Sequence, residues 1–137
     1  MSLFDTLAQS IATMEGYFTP GTLANSNNNP GNIRWGYDPS NGKGLPGQVG
    51  VDGNGFAIFS SPEAGWQELY RQLTLKANSG ATVSSAISAW APSSENDTSN
   101  YISFVSSNLG VSPNTPLNSL GSGNPLDPPK SPIHRKV

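Results

Sequence analysis

The stretch MEGYFTPGTLANSNNNPGNI (residues 14–33) joins the end of a helix to a long polar loop. Residues 2–15 place apolar side chains at spacings of three and four, which predicts a helix with one apolar stripe. Gly16 is suited to cap the C-terminal end of this helix. Residues 25–31 are Asn, Ser, Pro and Gly, which favour loops. The stretch therefore places Glu15 where the helix gives way to the loop.

Glu15 is the candidate catalytic residue. At about 100° per residue, it lies within roughly 20–40° of Phe4 and Ile11 around the helix, so it continues the apolar stripe. A carboxylate on a buried face loses hydration, which raises its pKa and keeps it protonated near neutrality. A glycosidase acid needs this property, because it gives a proton to the leaving glycosidic oxygen. The alternative is a glutamate at a helix end that turns into solvent.

The rest of the chain predicts a mainly helical α+β fold with a small β-lobe and a loop-rich cleft. Residues 33–37, 48–51 and 56–59 alternate in polarity and are separated by glycine-containing turns, which indicates a small sheet. Three further helices are predicted from apolar spacing and from their N-caps. Those caps are Ser61, Thr82, and either Asp97 or Thr98.

The predicted domain spans residues 1–117. Residues 118–137 are rich in Gly and Pro and lack apolar periodicity, so we expect an extended tail or linker there.

Composition excludes several kinds of site. The 137-residue chain has no cysteine and a single histidine, His134, which excludes disulfides, cysteine-based zinc sites and a Ser-His or Cys-His pair in the main domain. A net charge of −2 is unsuited to nucleic acid. We expect a monomer without metal, cofactor or membrane insertion. The N-terminus lacks the features of a signal peptide, so we expect delivery by a holin, a virion or a secretion system, or a signal missing from this sequence.

Residues 15–18 and 28–33 resemble the lysozyme-like superfamily, specifically lytic transglycosylases and bacterial cell-wall glucosaminidases. In those enzymes the first core helix ends in a catalytic glutamate, and an Asn- and Gly-rich loop follows. The resemblance continues through residues 55–66, 90–92, 95–97 and Tyr101, and it covers roughly residues 3–116. It implies a lysozyme-like fold that cleaves the β-1,4 bond between N-acetylmuramic acid and N-acetylglucosamine at the cell wall, in the periplasm or outside the cell. Glu15 is the implied acid and base, and a tyrosine on a late helix, here Tyr101, points toward it.

A second catalytic carboxylate is left open by the sequence. Asp38, Asp52 and Glu95 are candidates by position, although all three also suit turns or helix caps. In lytic transglycosylases one glutamate serves as acid and then as base, and a hydroxyl of the sugar attacks to leave an anhydro product.

Four residues are candidates for contact with peptidoglycan strands. Asn29 and Asn32 are suited to bonding the acetamido groups or hydroxyls of the glycan, or equally to bonding their own loop. Trp35 and Tyr37 offer flat faces in the predicted β-lobe. Trp66 and Trp90 lie on helix stripes, where we expect core packing.

Two other functions compete with the leading one. A glucosaminidase of the autolysin type would cut the other glycosidic bond. A non-catalytic lysozyme-like module of a virion or secretion apparatus would only bind peptidoglycan.

Overall fold

The computed structural model describes residues 2–34, 44–94 and 96–133. Within these ranges the chain forms a mainly helical α+β fold with a two-stranded antiparallel sheet, as predicted. The elements are α1 (Leu3–Met14), α2 (Leu23–Ser26), β1 (Gln48–Val51), β2 (Ala57–Phe59), α3 (Pro62–Asn78), α4 (Val83–Trp90), α5 (Thr98–Leu109) and a 3₁₀ helix (Leu117–Ser119).

Three helices begin at the residues that the capping pattern predicts. Ser61, Thr82 and Asp97 each accept a hydrogen bond from a backbone N–H in the first turn of the following helix. Ser2, which the predicted first helix includes, caps α1 in the same way. Gly110 ends α5 in the left-handed conformation, with a φ of 68°. The four-residue α2 lies in the segment that the sequence predicts as loop. None of the helices in the described ranges is long and apolar enough to cross a membrane.

The core lies between the helices. Helix α1 packs against α5 and α3, and α4 packs on α5. The apolar stripe of α1 is buried as its periodicity predicts, and Leu7 and Ile11 have no exposed surface. Burying each such side chain contributes about 1.5–3 kcal/mol. This packing fixes the C-terminal end of α1 against α5.

The sheet is a hairpin that packs on α3 through β2. Gln48 pairs with Phe59 and Val51 with Ala57, with a bulge between Gln48 and Gly50. The third predicted strand, residues 33–37, is represented by a single bridge between Arg34 and Phe56. Residues 35–37 lie outside the described part of the chain.

The tail packs on the domain, unlike a free linker. Leu120 is buried, and its carbonyl accepts a hydrogen bond from the Phe4 N–H at 3.2 Å. Farther along, the Ser131 carbonyl accepts a hydrogen bond from the Gln9 side chain at 3.0 Å. The packed unit therefore extends beyond the boundary predicted at residue 117. The sequence does not reveal this, because the segment carries no apolar periodicity and its hydrogen bonds to α1 use backbone groups of the tail.

Candidate active site

Glu15 occupies the C-terminal cap of α1. Its backbone N–H donates to the Ile11 carbonyl at 2.9 Å, so the helix holds its main chain. Gly16 then turns the chain away with a φ of 82°, a conformation that favours glycine. The Glu15 side chain is half-buried and faces a cleft, so it does not turn into bulk solvent.

Tyr101, on α5, contacts the Glu15 carboxyl directly. Its hydroxyl donates a hydrogen bond to Glu15 Oε2 at 2.7 Å, and only 3% of the tyrosine is exposed. Because α1 and α5 pack along their lengths, residues 86 positions apart in the chain meet here. The structure thus brings together the two residues that the resemblance pairs.

The pKa of Glu15 is raised above its ordinary value. Burial is the main cause, since it penalises the charged carboxylate. The Tyr101 hydroxyl and the Asn32 side chain act in the opposite direction without cancelling the effect of burial. Burial also raises the pKa of Tyr101 well above its ordinary value, and the Glu15 charge adds to this. Tyr101 therefore stays a neutral phenol that donates to Glu15.

The loop after Glu15 is tied to the hairpin by three consecutive asparagines. Asn27 Nδ2 donates to Asp52 Oδ2 at 2.8 Å, and Asn28 Nδ2 donates to the Phe59 carbonyl at 3.2 Å. Asn29 Nδ2 donates to the Ala57 carbonyl at 2.9 Å. These bonds fix the loop against the small sheet.

Asn29 serves the fold, in contrast to the sugar contact predicted for it. Its side chain is fully buried. Its Nδ2 also donates to the Ile33 carbonyl at 2.9 Å, and its Oδ1 accepts from the Ile33 N–H at 2.8 Å. With both N–H groups and the oxygen engaged and no exposed surface, the side chain is unable to reach a glycan.

Asn32, in contrast to Asn29, faces the cleft. It lines the cleft beside Glu15, and its backbone adopts a left-handed φ of 46°. Its Oδ1 is buried and has no hydrogen-bond partner among the described residues. An acceptor without a partner is costly to bury, and a ligand with an N–H or O–H group would satisfy it. Of the two predicted asparagines, Asn32 is the one suited to contact substrate.

Two glycines allow the loop to approach the helices closely. A Cβ on Gly65, in α3, would lie 1.8 Å from the Asn28 carbonyl oxygen. A Cβ on Gly31 would lie 2.7 Å from the Trp90 ring. The Gly31 carbonyl also accepts a hydrogen bond from Trp90 Nε1 at 3.0 Å. Larger residues at these positions would displace the loop that carries Asn32.

The cleft has a volume of about 670 Å³. Its described lining is Glu15, Gly31, Asn32, Ile33, Arg34, Phe56, Gln72, Lys76, Ala89, Trp90, Pro92 and Asn96. The prediction of core packing holds for Trp66, which is 2% exposed, but Trp90 is half-buried and forms part of the cleft wall. The reason is its position as the last residue of α4, where the helix stripe reaches the surface. Lys76 and Gln72 are further lining residues that helical periodicity does not single out.

Asp52 lies in the hairpin turn and is not among the residues that line the cleft. Its Oδ1 accepts backbone hydrogen bonds from Asn54 at 2.8 Å and Phe56 at 2.9 Å, and its Oδ2 accepts the bond from Asn27. The Phe56 bond is the main cause of its lowered pKa. Asp52 therefore takes the turn-capping role that its sequence also allows.

Four predicted site residues lie outside the described part of the chain. They are Trp35, Tyr37, Asp38 and Glu95.

Comparison with known proteins finds a similar phage protein. No family model and no solved structure matches the chain. Protein P5 of Pseudoalteromonas phage PM2 is 38% identical to it over 95 residues. The aligned region covers 67% of this chain and 58% of the phage protein, so the chain spans less than two thirds of that relative's length. The chain is therefore similar to part of a phage protein.

Proposed function

We propose that the protein cleaves peptidoglycan as a glycosidase, at the β-1,4 bond between N-acetylmuramic acid and N-acetylglucosamine. A lysozyme-like fold is part of the same proposal. The observation that carries it is the Glu15 carboxyl, which faces an open cleft, has a raised pKa and is oriented by Tyr101. A carboxyl whose pKa is raised by burial and which faces an open cleft is suited to give a proton to a glycosidic oxygen.

The chemistry follows from the two oxygens of Glu15. Oε2 accepts the Tyr101 hydrogen bond, and we assign the transferable proton to Oε1. Transfer of that proton to the glycosidic oxygen accompanies cleavage of its bond to the anomeric carbon, and the sugar becomes oxocarbenium-like. The carboxylate that forms keeps the Tyr101 hydrogen bond. It then accepts the proton of the attacking hydroxyl, which restores the acid.

The lining of the cleft favours a single-glutamate route. Glu15 is the one carboxylate among the described residues that line it, and the Asp52 oxygens are engaged in the hairpin turn. A sugar hydroxyl as the nucleophile needs no second carboxylate. Since the Glu15 segment also resembles lytic transglycosylases, we favour lytic transglycosylation over hydrolysis.

The likeness to a phage protein supports a phage setting. We propose that the chain acts on the cell wall of a host bacterium, as a lysis protein or as a virion component. Both settings require contact with peptidoglycan strands, and neither requires the protein to enter a membrane.

The first test is Glu15→Gln, which keeps the size of the side chain but removes the transferable proton. We expect activity on purified cell walls in a zymogram to fall by at least about 10²-fold, with an unchanged circular dichroism spectrum. Glu63→Gln is the matched control, because Glu63 is exposed at the start of α3 and lies outside the described cleft lining. Wild-type turnover in Glu15→Gln would refute the proposal. A folded wild-type protein that binds walls without cutting them would indicate the binding module.

Mass spectrometry of the released fragments identifies the bond and the route. We expect anhydro-muramyl ends. Reducing muramyl ends would indicate hydrolysis, and reducing N-acetylglucosamine ends would indicate a glucosaminidase.

A further inference from the structure

Lys76 presents a positive charge to the same cleft as Glu15. It lies in the last turn of α3, and its ammonium lies 5.9 Å from the centre of the Trp90 ring. Trp90 is itself fixed, because its indole N–H donates to the Gly31 carbonyl. A cation held over an anchored aromatic face has a restricted position.

No carboxylate among the described residues forms an ion pair with Lys76. Glu68, also on α3, is buried and already engaged. It accepts hydrogen bonds from Arg71 Nε at 2.6 Å and from Gln72 Nε2 at 2.7 Å. The charge of Lys76 therefore remains available to a ligand in the cleft.

Lys76 brings its charge into a cleft with little negative charge among its described residues. Glu15 is the one carboxyl in the described lining, and burial raises its pKa. The whole chain, in contrast, has a net charge of −2. A positive charge that lines a cleft of an acidic protein favours an anionic ligand.

We propose that Lys76, over Trp90, binds a carboxylate carried by a substituent of the glycan. This inference rests on the proposed function. The backbone of a peptidoglycan strand is neutral, but each muramyl unit carries a lactyl ether that ends in a carboxyl group. That carboxyl is either free or extended by a peptide that bears carboxylates of its own. Both sources present the same chemistry to an ammonium group, and binding one of them would place a muramyl unit in the cleft.

Binding is measured by calorimetry on the Glu15→Gln protein, so that no cleavage occurs. The three probes are neutral N-acetylglucosamine oligomers, glycan strands freed of peptide by an amidase, and strands that keep their peptides. Lys76→Gln is introduced into the same background. Lys130→Gln is the matched control, because it makes the same charge change at an exposed tail position.

We expect Lys76→Gln to weaken binding of one or both anionic probes by about tenfold, as for loss of a charge-assisted hydrogen bond. Binding of the neutral oligomers and of the Lys130→Gln protein should not change. A loss with amidase-treated strands identifies the lactyl carboxylate, and a loss confined to peptide-bearing strands identifies the peptide. Raising the salt concentration should reduce the preference for anionic probes.

Equal binding of all three probes before and after Lys76→Gln would overturn the inference. This outcome differs from failure of the proposed function, which would appear as a wild-type protein that cuts no wall. Selective binding of the anionic probes through Lys76 would stand even if no bond were cut.

Discussion

At the scale of single residues, the chemistry of Glu15 depends on two opposing effects. Burial raises its pKa, while the hydrogen bond from Tyr101 limits that rise. The same hydroxyl fixes the orientation of the carboxyl. Tyr101 therefore acts as a positioning residue that also adjusts the pH range in which the acid is protonated.

Activity should fall as pH rises through the raised pKa of Glu15, because the deprotonated form has no proton to give. In Tyr101→Phe the pKa of Glu15 should rise further, since a hydrogen bond that lowers it is lost. The alkaline limb of the pH–rate profile should then move to higher pH, with a lower maximal rate. Profiles measured on soluble glycan strands test this. If the alkaline limb of the Tyr101→Phe profile lies at the same pH as in the wild type, Glu15 does not control that limb.

The raised pKa of Glu15 also predicts that the stability of the protein depends on pH. A group whose pKa is raised in the folded state loses its stabilising contribution as pH rises from its ordinary value of 4.5 through the raised value. Glu15→Gln does not titrate, so its free energy of unfolding should increase relative to wild type across that window and then remain constant. Urea unfolding at a series of pH values measures the difference.

At the scale of elements, the loop after α1 has one part that holds it and one part that faces the cleft. Asn29 is buried and bonded to β2 and to the loop backbone, while Asn32 lies beside Glu15 with an unpartnered oxygen. The two residues differ in role because only one of them points away from the sheet.

Asn29→Ala should lower the free energy of unfolding by about 2–3 kcal/mol, because it leaves buried backbone groups without partners. Asn32→Gly should change stability by no more than about 1 kcal/mol, since glycine tolerates the left-handed φ. It should nevertheless reduce the rate of wall cleavage, while retaining the fold. Thermal melts and wall-cleavage assays on both variants separate the roles. A destabilised Asn32→Gly protein with full specific activity would contradict this assignment.

Local chemistry made much of the fold predictable. Ser61, Thr82 and Asp97 start helices because each offers an oxygen to a first-turn N–H, and Gly110 ends one because it adopts a left-handed φ. The placement of Glu15 likewise followed from its position on the helix stripe.

The walls of the cleft were not predictable in the same way. Trp90 and Lys76 belong to it because α3, α4 and the loop meet there, which is a long-range arrangement. Asn29 and Asn32 are the same residue type in one loop, so their sequence does not distinguish them.

At the scale of the whole molecule, Asp5 joins three parts of the chain. Its carboxylate caps α1 together with Ser2, accepts a hydrogen bond from the Tyr70 hydroxyl on α3, and accepts one from the Asn124 N–H of the tail at 2.7 Å. Partial burial acts to raise the pKa of Asp5, but these hydrogen bonds outweigh it and lower the pKa. The tail is thereby attached to the domain through a charged group.

Deleting residues 121–137 should lower the free energy of unfolding by about 1–3 kcal/mol, because several hydrogen bonds to α1 are lost. Gly123→Ala should reproduce part of this loss, since its Cβ would lie 2.2 Å from the Tyr70 ring. Ser131→Ala is the control, because that residue bonds Gln9 through its main-chain carbonyl and keeps the contact.

The effect of the deletion should depend on pH through Asp5. The difference in the free energy of unfolding between the full-length and the truncated protein should narrow as pH falls below 3.8, the ordinary pKa of Asp5, and through its lowered value in the folded protein. Equal melting temperatures at neutral pH would show that the tail contributes nothing to the fold, whereas a difference independent of pH would show that it acts without Asp5.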